Sequence, residues 1–362
     1  MSTLFDIWHS IQTQLFPWLE QELDPLSEKE REFIQIISLL DLPGHMKEYR
    51  WRGFGRKRKS RINIAKALVA KSVYKFETTD ILIEYLKGCK NIRRLCGWEM
   101  PGAIPSSATF SRAFSEFAKH GLPQKVHEAM VKKHCGPKLA GHISRDSTAI
   151  ESREKPVKNK STDGPKGKRG RPRKGEVVPA KPKRRVELQA ERSLEENLNE
   201  LPTTCNVGAK KNSKGYKETW IGYKLHLDCI DGDIPVSAIL TSASLHDSQV
   251  AIPLAQMSSE RITNLYDLMD SAYDSPQIHL FSESLGHRPI IDNNPRRGEK
   301  LYMDPATKAR FAERSSAERV NSNLKDNYGG RNIRVKGALK VMAHLMFGIV
   351  SIAAMQIFRL LL

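Results

Sequence analysis

The sequence is short of cysteine and of negative charge, and it has no obvious leader. Each shortage excludes something. Cys89, Cys96, Cys135, Cys205 and Cys229 are the only cysteines in 362 residues, an odd number with no C-x-x-C pair and no helical His/Cys spacing. Neither a disulfide framework nor a zinc site is therefore encoded, and the five read as reduced thiols of a cytosolic protein. The 41 Asp and Glu are outnumbered by 59 Lys and Arg, leaving a net charge of +18. Such an excess favours a polyanionic partner, nucleic acid first, although an anionic membrane surface would attract the same charge. The opening residues MSTLFDIWHS lack a basic stretch followed by an apolar core, so no signal peptide is expected.

Long apolar runs are also scarce. The one candidate, Val341 to Leu362, is broken by His344, Ser351, Gln356 and Arg359, and from Leu339 just before it, Met342, Leu345, Met346, Ile349, Ile352, Ala353 and Gln356 follow at helical spacing. This pattern predicts a helix buried in a protein core rather than one in a membrane. With 39% hydrophobic residues the chain can form one large soluble domain and a smaller one.

Residues 1–135 carry helix-period patterns between breakers such as Asp41-Leu42-Pro43-Gly44, Met100-Pro101-Gly102 and Gly121-Leu122-Pro123, which predicts an all-helical N-terminal region. Within it lie the basic run Arg56-Lys57-Arg58-Lys59-Ser60-Arg61 and the segment Ile104–Arg112. In that segment Ser106 or Ser107 is placed to cap a helix whose first turn offers Thr109 and Arg112 to a phosphate backbone. Arg56, Arg58 and Arg112 are thus candidate DNA contacts of a helix-turn-helix-like unit; a solvated helix face with an ordinary cap fits the same residues.

From Ile143 the pattern turns to β. Segments 143–150, 220–230 and 235–241 alternate as strands, the last two joined by the turn Asp231-Gly232-Asp233. A helix from His246 to about Ser258, a strand over 262–269, a helix near 275–285, a strand over 288–292 and a long helix from about Pro305 to Leu324 follow. The order β-β-β-α-β-α-β-α predicts an α/β, ribonuclease-H-like mixed sheet with helices on both faces over residues 136–362. Interrupting it, residues 151–219 form an insertion expected to be disordered when free. Its part from Arg153 to Arg185 holds 14 Lys or Arg against 3 acids. At its centre Gly170-Arg171-Pro172, flanked by Lys168, Arg169, Arg173 and Lys174, resembles an AT-hook, whose arginines lie in a narrow A·T-rich minor groove. A basic linker that binds any phosphate backbone is the other reading.

Metal-assisted phosphoryl transfer needs carboxylates that hold two hard cations, Mg²⁺ or Mn²⁺, one beside the attacking oxygen and one beside the leaving oxygen. Asp146 falls within the first predicted strand and Asp270 at the end of the fourth, where ligand sites of open α/β sheets gather. Both are costly places for a carboxylate without a cation. Glu318, on the following helix, would close the cluster. Asp228, Asp267 and Asp292 compete, and burial alone does not exclude Asp267. His226 and His246 are secondary candidates for a phosphate or a metal, and Tyr273 and Trp220 for stacking on an extruded base; structural roles are the plainer reading for all four. The loop Arg296-Arg297-Gly298 with Lys300 either tracks DNA or is simply solvated.

The segment Phe311–Lys325 resembles the Y-x2-R-x3-E-x6-K signature of insertion-sequence-four-like DDE transposases, with Arg314, Glu318 and Lys325 at the signature spacings and Phe311 in place of Tyr. Leu268-Met-Asp270-Ser-Ala-Tyr273-Asp274-Ser275 is similar to the second-Asp motif of that family, with Ala272 for Gly, and Ser144-Arg-Asp146-Ser-Thr148 to its first-Asp strand. The resemblance implies a metal-dependent enzyme in which Asp146, Asp270 and Glu318 are catalytic. Arg314 and Lys325 would clamp the scissile phosphate. Double-stranded DNA would be cut at transposon ends and joined to a target, with a homodimer in the synaptic complex, in the cytoplasm at the nucleoid. A plain nuclease on the same fold and a silent DNA-binding regulator are the alternatives.

Overall fold

The computed structural model describes residues 3–49, 51, 53, 55, 58–157, 183–211, 214–295, 299 and 301–360. Nine α-helices precede the first strand among them. They are α1 (Leu4–Ser10), α2 (Phe16–Glu22), α3 (Glu28–Leu39), α4 (Leu42–His45), α5 (Arg61–Val73), α6 (Thr79–Gly88), α7 (Lys90–Leu95), α8 (Ser107–His120) and α9 (Leu122–His134). Side-chain caps set several of their starts: the hydroxyls of Thr3, Ser27 and Thr78 each accept from a backbone amide of the first turn. Gly121, at φ 62°, ends α8 and begins α9, a left-handed position that glycine adopts without a Cβ clash.

Six strands follow: β1 (Leu139–Glu151), β2 (Asn206–Lys211), β3 (Lys217–Ile230), β4 (Ile234–Ser242), β5 (Thr263–Met269) and β6 (Arg288–Ile291). They form one mixed sheet. β3 lies antiparallel to β1, and along its other partners pairs with β2 over Lys217–Gly222 and with β4 over Tyr223–Ile230. β5 runs parallel to β1, and β6 parallel to β5. The observed architecture is therefore mixed α/β, with antiparallel strands on one side of β1 and parallel strands on the other. Gly232 (φ 79°) and Asp233 (φ 59°) both take left-handed conformations in the β3–β4 turn, which suits the twist of a tight hairpin.

Two features differ from the pattern expected of the sequence. Part of the span 151–219 is structured: α10 (Arg185–Gln189), α11 (Leu194–Glu200) and β2 lie there. Ser193 and Glu196 form a capping box for α11, and Leu198 and Leu201 pack with Ile239, Leu245, Val250 and Leu254. A few apolar anchors outweigh the surrounding charge. The AT-hook-like centre lies outside the described residues. The second difference is the break in the helix expected over 305–324 into α14 (Pro305–Phe311), a 3₁₀ turn at Ala312–Arg314 and α15 (Ser315–Asn327). Similarly, a 3₁₀ turn at Asp247–Gln249 precedes α12 (Ala251–Ser259). Pro253 lacks an N–H and so belongs in a first turn, consistent with the late start of α12. α13 (Pro276–Ser284) links β5 to β6.

The last helix, α16 (Ala338–Arg359), is long and apolar enough to cross a membrane by length and composition, but most of it is buried inside the protein. It packs against α3, α5, α8, α9, α15 and β4. One hydrophobic core consequently includes Phe33, Ile64 and Phe117 of the N-terminal helices, Leu225 and Val236 of the sheet, and Leu345, Ile349 and Ile352 of α16. Each such side chain contributes about 1.5–3 kcal/mol by leaving water. His127 of α9, fully buried, adds a polar tie through a 2.9 Å hydrogen bond between its Nε2 and the Pro235 carbonyl of β4.

Candidate active site

α15 lies along one face of β1 in a repeating match. The Ala317 amide donates to Ser144 Oγ at 3.2 Å, Asn321 Nδ2 to Asp146 Oδ2 at 3.2 Å, and Lys325 Nζ to Thr148 Oγ1 at 2.6 Å. Ser144 Oγ in turn donates to the Arg314 carbonyl. Steps of two along a strand advance about 6.6 Å and steps of four along a helix about 6 Å, so the two elements stay in register over this length. Strand alternation then places Ser144, Asp146 and Thr148 together under the helix.

Asp270 reaches the same place from β5. Ser144 pairs with Leu268 in the parallel register; the same register carried two residues on leads from Asp146 to Asp270, just past the end of β5, and the Asp270 charge acts on the Asp146 carboxyl. Asp270 accepts from the Ala272 amide at 2.9 Å, capping a 3₁₀ turn. Both carboxylates are half-buried. Burial pushes the Asp146 carboxyl up to about 6, and the charges of Asp270 and Glu318 add to the shift against the Ser147 amide and Arg314. Burial likewise raises Asp270, with help from Asp247 and against Ala272, Arg314 and His246. This is a concentration of negative charge that the protein leaves incompletely compensated.

Glu318, on α15, faces outward and is ion-paired with Arg314 at 2.5 Å, one helical turn away. The Phe311 ring stacks 5.6 Å from the Arg314 guanidinium carbon, so the aromatic position of the signature supports the arginine without a hydroxyl. Among the described residues, no three His, Cys, Asp or Glu side chains are grouped closely enough to hold one ion together. The structure brings Asp146 and Asp270 together and keeps Glu318 on the arginine.

The competing acids separate clearly. Asp228 is fully buried and takes two hydrogen bonds from Arg145, at 2.8 and 2.7 Å, and one from Ser258 at 2.7 Å. Asp267, equally buried, is bonded by Asn264 at 3.0 Å, by Ser282 and by His287. Their oxygens are used within the protein. Asp292 follows β6, one strand further from β1 than Asp270.

Several nearby groups lie outside the acidic triad. Asp247, beside Asp270, pairs with Lys224 at 2.9 Å; burial pushes its carboxyl up, but His226 and Lys224 outweigh that and hold it below the usual value. Beyond Thr148, a cleft of about 320 Å³ is lined by Lys210, Lys325 and Arg331 together with Glu151 and Glu218. Burial, with Lys210 and Arg331, lowers the Lys325 ammonium, and three neighbouring cations of this kind suit a phosphate. Asn321 is also new. Its place three residues after Glu318 and four before Lys325 is the signal that would have marked it. A larger cleft of about 1110 Å³ lies on the outer side of α15 and includes Glu318. It mixes Glu28, Asp233 and Asp326 with Arg31, Arg319 and Arg359, and so selects neither sign of ligand.

The secondary candidates fall out as follows. His226 is fully buried, 3.0 Å from Thr241 Oγ1, and burial lowers its imidazole to about 4. Tyr273 is 1% exposed and Trp220 9% exposed, with its Nε1 bonded to the Tyr223 carbonyl at 2.9 Å, so neither ring is available to stack on a base. His246 is exposed and bonded to Ser248. In the N-terminal region Arg58 and Arg61 converge on Glu116 of α8, at 3.0 and 2.8 Å, and Arg112 is exposed one turn earlier on that helix. Ser106 stands at the α8 N-cap, with its hydroxyl 3.3 Å from Thr109 Oγ1 rather than on a backbone amide. Arg56, Arg169, Arg171, Arg173, Lys174, Arg296, Arg297, Gly298 and Lys300 lie outside the described residues.

This arrangement, an aspartate in the middle of β1 and another just past the end of the neighbouring β5 with a Glu-bearing helix across β1, agrees with the comparison by sequence. Residues 185–353 match the family described as Transposase DDE domain, which supports a DDE transposase. The matched span contains Asp270, Arg314, Glu318 and Lys325; Asp146 precedes it and is joined to it through the β1–β5 register and α15. No curated protein matches the chain.

Proposed function

We propose that this chain is a DDE transposase of the insertion-sequence-four-like group. Its catalytic domain is ribonuclease-H-like over residues 136–362, preceded by a helical DNA-binding and dimerisation region at 1–135. The observation that carries this reading is the placement of Asp146, with Asp270 acting on it, beneath α15, which bears Glu318 and Lys325 and follows the turn that holds Arg314. The donor set fits Mg²⁺ or Mn²⁺: it consists of carboxylate oxygens, and the Asp146 carboxyl, raised chiefly by burial and then by Asp270 and Glu318, is a site where a cation would be favourable. Asp146, Asp270 and Glu318 would hold two ions, Glu318 after release from Arg314. Bound there, the ions would activate the attacking oxygen and stabilise the leaving one.

The rest falls to the protein's own side chains. Arg314, freed from Glu318, and Lys325, backed by Lys210 and Arg331, neutralise and orient phosphates of the bound strand. Arg56, Arg58 and Arg112 contact the DNA backbone from the N-terminal region. Arg169, Arg171, Arg173 and Lys174 hold duplex DNA in an AT-hook-like manner. The substrate is double-stranded DNA at the nucleoid: transposon ends are cut and the freed 3′-hydroxyl attacks a target phosphodiester, with two ends held by a homodimer.

The test is to incubate the purified protein with linear DNA carrying its flanking element ends, in Mg²⁺ or Mn²⁺ and in EDTA. Cation-dependent cuts at the ends together with joined products are expected. Cuts without joining would indicate a plain nuclease, and binding without cuts a regulator.

A further inference from the structure

Asn321 fills an unspecified position within the Phe311–Lys325 segment, yet its amide touches Asp146 directly. Nδ2 donates to Asp146 Oδ2 at 3.2 Å. An ionised carboxylate only accepts, so the amide N–H must be the group that faces it. Asn321 is 5% exposed, pressed between α15 and β1, and its Oδ1 is buried without a hydrogen-bond partner. Leaving such an oxygen unsatisfied costs about 1–3 kcal/mol. Packing alone does not call for that cost: Ala317, Val320 and Leu324 beside it on α15 are apolar, and the one other buried polar residue of the helix, Ser316, has its hydroxyl bonded to the Ile230 carbonyl; a leucine would fill the same space as Asn321. What an amide supplies there is a donor without charge. A lysine or arginine at 321 would neutralise Asp146 and compete with a divalent cation, and an acid would repel it; a neutral N–H orients the carboxylate and leaves its charge intact.

We propose that Asn321 is the positioning residue of Asp146: by engaging Oδ2 it fixes the rotamer in which the carboxylate would meet a cation. This rests on the reading of Asp146 as a metal ligand. Groups that orient a metal ligand without touching the metal commonly change affinity 10–100-fold when removed.

The experiment follows Mn²⁺ binding to the full-length, EDTA-stripped protein through loss of the free-ion electron paramagnetic resonance signal, beside thermal melts in EDTA. Wild type should bind Mn²⁺ and Asp146→Asn should not. Asn321→Leu should bind about 10–100-fold more weakly while melting in EDTA at or above the wild-type temperature, since an unsatisfied amide has been removed. Asn321→Ala provides the same comparison should leucine fail to fold. Wild-type Mn²⁺ affinity in a folded Asn321 variant would overturn the proposal and leave Asp146 as a ligand. Equal binding by wild type and Asp146→Asn, or none by wild type, would overturn the metal reading and the positioning role with it.

Discussion

Arg145 and Asp228 meet across β1 and β3 through two hydrogen bonds of 2.8 and 2.7 Å, with side chains 1% and 0% exposed. Arg145 is adjacent in sequence to Asp146 but on the opposite face of β1. One face of the strand is a closed ionic core, with Ser258 and Ser237 completing its hydrogen bonds; the other carries the candidate ligand.

Asp228→Ala leaves a charged guanidinium buried and unpaired, so it should lose about 3–5 kcal/mol of stability in urea unfolding. Asp146→Asn, measured in EDTA, should keep wild-type stability or gain slightly. A large and equal loss in both variants would show that the two faces are not divided in this way.

For catalysis, Asp146→Asn, Asp270→Asn and Glu318→Ala should each reduce end cleavage about 10³-fold or more. Gel-shift affinity for the same ends should change by no more than about threefold, because phosphate contacts from other residues provide most of the binding. A variant that still cleaves at the wild-type rate removes its residue from the ligand set.

Acid should destabilise the fold through His127. Burial, reinforced by Arg261 and opposed by the Pro235 carbonyl, lowers its imidazole from 6.5 to about 3. The unfolded chain therefore takes up this proton near pH 6.5 while the folded chain resists it. The contribution is full above pH 6.5 and is lost as pH falls toward 3, by about 1.4 kcal/mol per pH unit. Urea midpoints compared at pH 7.5 and 5.5 should drop for wild type and drop less for His127→Gln. An equal drop would locate the acid sensitivity elsewhere.

Deletion of residues 166–174 should weaken binding to A·T-rich duplex more than to mixed sequence and should flatten the salt dependence of affinity. Equal weakening on both duplexes would identify a general basic linker.

The sequence by itself determined much of this protein, because many of its signals are local. Alternation and helical spacing marked β3, β4, β5, β6 and α16 close to their observed limits, and the hairpin at Asp231-Gly232-Asp233 was legible from its residues. Arg314, Glu318 and Lys325 were found as spacings on one helix. Less visible was whatever depends on a few contacts among many charges: α11 is anchored by Leu198 and its neighbour Leu201, which a count of lysines and arginines hides.

Tertiary structure alone decided which carboxylates stand together and which are used up. Asp228 and Asp267 look like Asp146 and Asp270 in a strand pattern, and only the packing of Arg145, Ser258, Ser282 and His287 against the first two sets them apart. The role of Asn321 has the same origin. Its contact with Asp146 exists because two-residue steps on β1 and four-residue steps on α15 have nearly the same length, a match between elements remote in sequence that local patterning does not encode.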